Sequence, residues 1–286
     1  MSQVYAVTGA SGHLGRLVVT ELLARGVEPH QVVAIARTPG TLDDLAERGV
    51  QVREGDYDRP ETLNTALAGV SRLLLVSGSE IGRRVPQHTA VIEAAKAAGV
   101  GRIAYTSVLK AGSTSNPVAP EHVESEKVLR ASGVPHTILR NSWYLEVYTD
   151  QAAQYLATGR ILGATGGAPV SGAPRADYAA AAASALLENV DGNQVYELGG
   201  PAFTLADLAA AITEATGTTV VYEDLAPEAY RSALTGAGLD EGTVRFLVGL
   251  DASIAAGELA TDSDDLRRLL GREPAALGEA VKTLLG

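Results

Sequence analysis

Cysteine is absent from the 286-residue chain, so neither disulfides nor thiolate metal sites are available to it. That absence fits a reducing compartment. Runs of lysine or arginine are also missing, and the formal net charge is -11, so nucleic-acid partners are not expected. The most apolar stretches, "RLLLVSGS" and "YAAAAASALL", are too short or too weakly apolar to span a bilayer. No basic leader stands before "SQVYAVTGA", and the expectation is a cytoplasmic protein without a membrane span. No Gly-x-Ser-x-Gly elbow appears, which leaves Ser-His-Asp chemistry without support. What is present is a globular composition, 46% apolar and 20% charged, in a chain long enough for one large domain or a large domain carrying a smaller one.

Strand and helix patterns alternate along the first half. Residues 3–8 read as a strand that Gly9 breaks, and Leu14, Leu17, Val18 and Leu22 then recur at helical spacing. "QVVAIAR", "VQVREGD", "RLLLVSG", "RIAYTSV" and "PHTILRN" are further strands, separated by helical stretches near 41–48, in "PETLNTALAGV", in "QHTAVIEAAKAAGV" and in "EHVESEKVLRASG". The economical packing is an α/β fold, a Rossmann-like parallel sheet flanked by helices. Beyond it, "WYLEVYTDQAAQYLATG" reads as helical, "GAPRADYAAAAASALLEN" as an alanine-rich helix, "QVYELGG" as a strand, and "TLADLAAAITEATG" with "TTVVYEDL" as one more helix and strand. The expected division is a nucleotide-binding core over 1–150, an interleaved region over 151–200 that partly returns to it, and a smaller α/β substrate-binding region mainly over 201–286.

Gly9, Gly12 and Gly15 form G-x-x-G-x-x-G between the first strand and its helix. A dinucleotide requires glycine there for a tight turn, for close approach of backbone to pyrophosphate, and for close packing of helix on sheet. Exposed helix N–H groups then receive the phosphate charge. Ser11 and His13 can add donors, and Leu14 opens the helix in the same turn. Where an Asp or Glu would bind the adenosine ribose at the end of strand two, the chain has Ala36-Arg37; Arg37 suits a 2'-phosphate and favours NADP over NAD. Asp56 and Tyr57 follow strand three as a border for adenine, and Ser77, Gly78 and Ser79 end strand four, where a loop can pass beneath ribose and nicotinamide.

Tyr105, Thr106 and Ser107 close strand five near the expected reaction edge; alternation sends Tyr105 and Ser107 one way and Thr106 the other, either toward the site or into local hydrogen bonds. His122 and Glu126 share a helical face, but no third ligand accompanies them and no metal site is expected. Lys127, on the same helix, either holds the nicotinamide ribose and steadies oxyanion charge or is a solvated surface lysine. Asn141, Trp143, Tyr144 and Tyr148 form either a flat wall for a substrate or an ordinary core between segments.

Taken together, "TGASGHLG", Arg37, "GDYD", "YTSV", "EHVESEK" and "TILRNSWYLE" resemble the NmrA-like branch of the atypical short-chain dehydrogenase/reductases. "SEIGRRVPQH" and "RADYAAAAA" narrow the resemblance to bacterial type 2 NADPH:quinone oxidoreductases, with triphenylmethane reductases as near relatives. The resemblance covers almost the full chain. It implies direct use of NADPH without flavin or metal, pyrophosphate near Gly9–Gly15, the 2'-phosphate by Arg37 and the nicotinamide ribose by Lys127. It also implies a cleft for a small quinone or other flat aromatic acceptor bordered by Trp143, Tyr144 and the later region, with a homodimer left open. The position four residues before Lys127, tyrosine in typical short-chain dehydrogenases, is Val123 here. Reduction of triphenylmethane dyes and a non-catalytic NADP(H)-sensing role therefore stand as alternatives.

Overall fold

The computed structural model describes residues 3–286. Seven strands form one sheet: β1 (Tyr5–Val7), β2 (Val32–Ala36), β3 (Gln51–Glu54), β4 (Arg72–Leu75), β5 (Arg102–Val108), β6 (His136–Asn141) and, after a detour, β8 (Gln194–Leu198). The intervening β7 (Arg160–Gly163) pairs elsewhere, in parallel with β9 (Val221–Asp224). The large sheet runs β3-β2-β1-β4-β5-β6-β8, and every neighbouring pair is parallel. Successive strands move outward one way from β1 to β3 and the other way from β4, so the order reverses between β1 and β4. A crevice opens beyond the carboxyl ends of the strands at such a switch point.

Helices α1 (His13–Ala24), α2 (Asp43–Glu47), α3 (Pro60–Ala66), α4 (Arg84–Ala97) and α5 (Ala119–Ala131) make the crossovers. On one face, α1 buries Leu14, Val18, Val19 and Leu22 in a core shared with the alanine-rich α8 (Arg175–Leu187). Each such aliphatic side chain contributes about 1.5–3 kcal/mol on full burial. Ala179, Ala181, Ala182 and Ala183 are essentially sealed, and their small side chains let α8 approach α1 closely. On the opposite face Leu63, Ala66, Val91, Ile92, Ala95 and Leu129 from α3, α4 and α5 cover Val33, Ile35, Leu73, Leu75 and Ile103.

The segment expected as one helix after "TILRN" is broken. Trp143 and Tyr144 are extended, because the Ala173 N–H donates to the Trp143 carbonyl and the Leu145 N–H to the Ala173 carbonyl. Two short helices follow, α6 (Glu146–Thr149) and α7 (Ala152–Thr158), the second ended by Gly159 at φ +70°. Strand β7 has no counterpart among the expected elements, since four residues with a single fully buried side chain, Ile161, carry little periodic signal. After α9 (Leu205–Thr216), which opens with a Thr204–Asp207 capping box, come four helices that the sequence pattern does not announce: α10 (Pro227–Gly236), α11 (Glu241–Ala255), α12 (Asp265–Leu270) and α13 (Leu277–Leu285).

A third core gathers Leu145, Tyr148, Tyr155, Phe203, Leu208, Ile212, Leu250, Ile254 and Val281 from this later part. The chain does not stay there once it leaves the sheet. It returns for α8 and β8, and again for α12, whose Leu266 and Leu269 enter the core beneath α1 and α8.

Candidate active site

At the switch point lies a cleft of about 480 Å³, lined by the glycine turn, by the ends of β2, β3 and β4, and by Arg84, Gln87, Tyr144 and Arg175. The glycine turn has the geometry a dinucleotide needs. Gly9 stands at φ +59°, a region that costs any side chain. A Cβ on Gly15 would lie 2.3 Å from the Gly9 carbonyl oxygen and 3.0 Å from the Ala10 Cα, so the helix is packed against the turn's own backbone. No side chain caps the N-terminus of α1, and Ser11, Gly12 and His13 are exposed at the cleft. Leu14 and Gly15 also line it, from buried positions. These residues fit a pyrophosphate.

Arg37 stands at the tip of β2 with a 70% exposed side chain, beside Asp56 and Tyr57, all three in the cleft wall. Ser77, Gly78 and Ser79 form the wall after β4. This stretch has no ladder partners, and side chains behind it hold its backbone instead. Thr8 Oγ1 accepts from Val76 N–H at 3.0 Å, Thr106 Oγ1 from Ser77 N–H at 2.9 Å, and His88 Nε2 from Gly78 N–H at 3.0 Å. Tyr57 Oη sits 2.9 Å from the Val76 carbonyl, and Arg84 Nε donates to the Gly78 carbonyl at 2.6 Å.

Tyr105, Thr106 and Ser107, near the carboxyl end of β5, lie behind the wall and not in it. Tyr105 Oη is 2.7 Å from His122 Nδ1, and Ser107 Oγ donates to Glu126 at 2.7 Å, both toward α5; Thr106 turns to Ser77. Burial drives His88 and His122 down to about 3, with His122 adding to the shift of His88 and Arg84 to both, so both imidazoles are neutral. Since His88 Nε2 accepts from Gly78, its proton is on Nδ1, 2.8 Å from Ser125 Oγ. Burial pushes the Glu126 carboxyl up, but hydrogen bonds from Arg140 and Ser107 outweigh it and hold the group below the usual carboxylate range; Arg140 also bridges Glu126 to Glu197.

Lys127 does not join the cleft. Helix α5 turns Ala119, His122, Ser125, Glu126 and Leu129 inward, and Lys127, one residue past that face, is 65% exposed and paired with Glu124 at 2.8 Å. Among the expected acceptor-binding residues, Tyr144 alone lines the cleft. Asn141 supports it from behind, its Nδ2 donating to Tyr144 Oη at 3.2 Å. Tyr148 is buried in the later core, edge-on to Phe203, and Trp143 packs against that same core, because the extended stretch 143–144 sends alternate side chains apart.

Arg175 is a site residue that the sequence reading misses. It stands at the first turn of α8, its guanidinium 5.4 Å from the centre of the Tyr144 ring, and buried Glu146 accepts its backbone N–H at 2.8 Å. "RADYAAAAA" carries it in plain view, but the Tyr144–Ala173 bridge and the packing of α8 on α1 are what bring that run to the cleft. Arg84, Gln87 and Glu80, in "SEIGRRVPQH", also reach the wall with no local pattern to announce them.

A family model described as NAD(P)H-binding matches residues 9–189. Quinone oxidoreductase 2 of Escherichia coli strain K12 is 44% identical over 280 residues, covering 98% of each chain. An NmrA-like family domain-containing oxidoreductase of Aspergillus flavus is 30% identical over 98% of this chain and 94% of its own. The chain belongs to the NmrA-like NAD(P)H-binding family. Among solved structures, an NADPH-dependent quinone oxidoreductase of Escherichia coli complexed with NADPH superposes with a TM-score of 0.94 at 43% identity, over 99% of this chain and 100% of that one. Triphenylmethane reductase of a Citrobacter species, complexed with NADP(H), gives 0.91 at 35% identity over the same shares.

Proposed function

We propose that this protein is an NADPH-dependent reductase of small quinones. The observation that carries the reading is one continuous cleft joining the glycine turn and Arg37 at one end to Tyr144 and Arg175 at the other. Full-length similarity to a quinone oxidoreductase supports it. NADPH, when bound, supplies the hydride; reduction of the quinone to a hydroquinone also takes up one proton.

Gly9–Gly15 and the first turn of α1 hold the pyrophosphate, Arg37 the adenosine 2'-phosphate, and the Val76–Gly78 backbone the far ribose and nicotinamide. Tyr144 is the group on the acceptor side. Burial raises its phenol above the usual value, against the smaller effects of Asn141 and Arg175, so Oη keeps its proton at neutral pH. With Asn141 donating to Oη, the phenolic hydrogen is free to point at an acceptor carbonyl. A donor fixed where negative charge develops stabilises the transition state, and the Tyr144 ring in the cleft wall would help to orient a flat acceptor. The part of the chain mainly over 201–286, with the core around Tyr148 and Phe203, backs this acceptor end.

Anaerobic assays with NADPH and menadione, small benzoquinones and malachite green test the reading. Quinone turnover that exceeds dye turnover supports it, and kcat in Tyr144→Phe should drop about 10–1,000-fold. Dye turnover without quinone turnover transfers the reading to triphenylmethane substrates. Tight NADP binding with no turnover of any acceptor identifies a sensor.

A further inference from the structure

We propose that Glu80 is a specificity-determining residue: its carboxylate sits on the cation that the adenosine 2'-phosphate needs, and so tempers the preference for NADPH over NADH. The inference rests on the NADPH reading above and concerns the same end of the cleft. Glu80 and Arg37 both line the cleft, with Glu80 Oε1 3.4 Å from Arg37 Nη1. The other oxygen, Oε2, is 3.7 Å from Arg83 Nη1, and Arg83 Nη2 is in turn 2.9 Å from Asp58. Gln87 Nε2 closes the group, 3.2 Å from Asp58 and 3.4 Å from Glu80.

Two guanidinium groups face two carboxylates, so the quartet has no net formal charge. A phosphate monoester brings roughly -1.5 to -2. Against a neutral quartet it gains little, and with Glu80 in place it meets a like charge. Glu80 therefore opposes a 2'-phosphate on Arg37, and moving the carboxylate away from Nη1 removes the opposition. The geometry permits that movement. The pair is a single long contact, 70% exposed on the arginine and 40% on the glutamate, and such pairs are weak. A phosphate can take the guanidinium in a bidentate fork, which is stronger. Glu80 also lies between β4 and α4, where no ladder fixes the chain. A 2'-hydroxyl makes the opposite demand: it is neutral and can donate to Glu80 as it stands. The carboxylate thus opposes NADPH and accommodates NADH.

The test is calorimetric titration of the full chain with adenosine 2',5'-bisphosphate, adenosine 5'-monophosphate, NADP and NAD, which reads binding and not turnover. Glu80→Gln should tighten the bisphosphate and NADP about two- to fivefold, the scale of an exposed ion pair, and leave the monophosphate and NAD unchanged or weaker. The gain should shrink at high salt. Equal tightening of all four ligands, no change, or weaker bisphosphate binding each overturns the assignment of Glu80. Arg37→Ala separates this failure from that of the parent reading. If Arg37→Ala leaves the wild-type preference for bisphosphate over monophosphate intact, the phosphate site itself is misplaced; if it abolishes that preference while Glu80→Gln has no effect, only the role of Glu80 falls.

Discussion

Adding one methyl group at Gly15 tests why the turn between β1 and α1 is built from glycine. The new Cβ would stand 2.3 Å from the Gly9 carbonyl oxygen, 2.7 Å from the Gly9 carbonyl carbon and 3.0 Å from the Ala10 Cα. All three are backbone atoms, so no side-chain rotation relieves the overlap. An ordinary carbon–oxygen contact is about 3.3 Å, and the start of α1 must move about 1 Å from the turn to recover it. Overpacking of this kind costs about 1–3 kcal/mol. A displacement of about 1 Å at a positioning element costs about 100-fold in rate. Gly12 provides the internal comparison: its Cβ would meet the Gly9 oxygen at 3.2 Å and, apart from its own chain neighbours, nothing else within 4 Å. Gly12→Ala should therefore fold as the wild type does and lose cofactor affinity, by obstructing the approach of pyrophosphate, whereas Gly15→Ala should lose both. Thermal denaturation paired with calorimetric NADPH titration reads the two effects separately. Wild-type melting and affinity in Gly15→Ala, or equal destabilisation by the two variants, would refute the close-packing explanation.

Lys127→Ala should leave NADPH affinity and kcat/KM within about twofold of wild type, since it removes an exposed ion pair worth a few tenths of a kcal/mol; a loss of tenfold or more in steady-state kinetics would return Lys127 to the site. His88→Leu deprives the Gly78 N–H of its acceptor, a cost of about 1–3 kcal/mol, and should weaken NADPH binding without changing the shape of the pH profile above pH 5, because an imidazole near 3 is already neutral there. A pH profile altered by His88→Leu would contradict the neutral tautomer. Asp251, on α11, is raised to about 6 by burial while its Oδ2 accepts from the Ala164 N–H at 2.7 Å. With a folded value above the unfolded one, its contribution is full below about pH 4 and is lost as pH rises through 6, amounting to about 1–3 kcal/mol. Asp251→Asn, which keeps an acceptor for Ala164, should raise stability at pH 7 and not at pH 4; equal denaturation midpoints at pH 7 would refute the shift.

Local backbone requirements explain which features are legible in the order of residues. The glycine turn, Arg37 at the end of β2 and the small residues after β4 are each specified by a few adjacent residues, and all of them line the cleft. The alternation that points to a parallel sheet is equally local, because buried strands and one-sided helices repeat within ten residues or so. Lys127 shows where such reading stops. Its distance along the chain from β5 suits a site residue, but the phase of α5 is set by packing on β5 and β6, and that packing turns His122 and Glu126 inward and Lys127 out. Trp143 and Tyr148 are separated from Tyr144 in the same way, by an extended bridge to Ala173 in a stretch whose composition reads as helix.

Sequence alone thus determined the layered α/β scaffold and the glycine-turn end of the cleft, since both are announced by patterns among near neighbours in the chain, strand and helix periodicity and the spacing of glycines. Tertiary structure decided the opposite end. Tyr144 meets Arg175, and Gly78 meets His88 and Arg84, through strand bridges and helix docking, and no residue spacing encodes the angle at which one element settles on another.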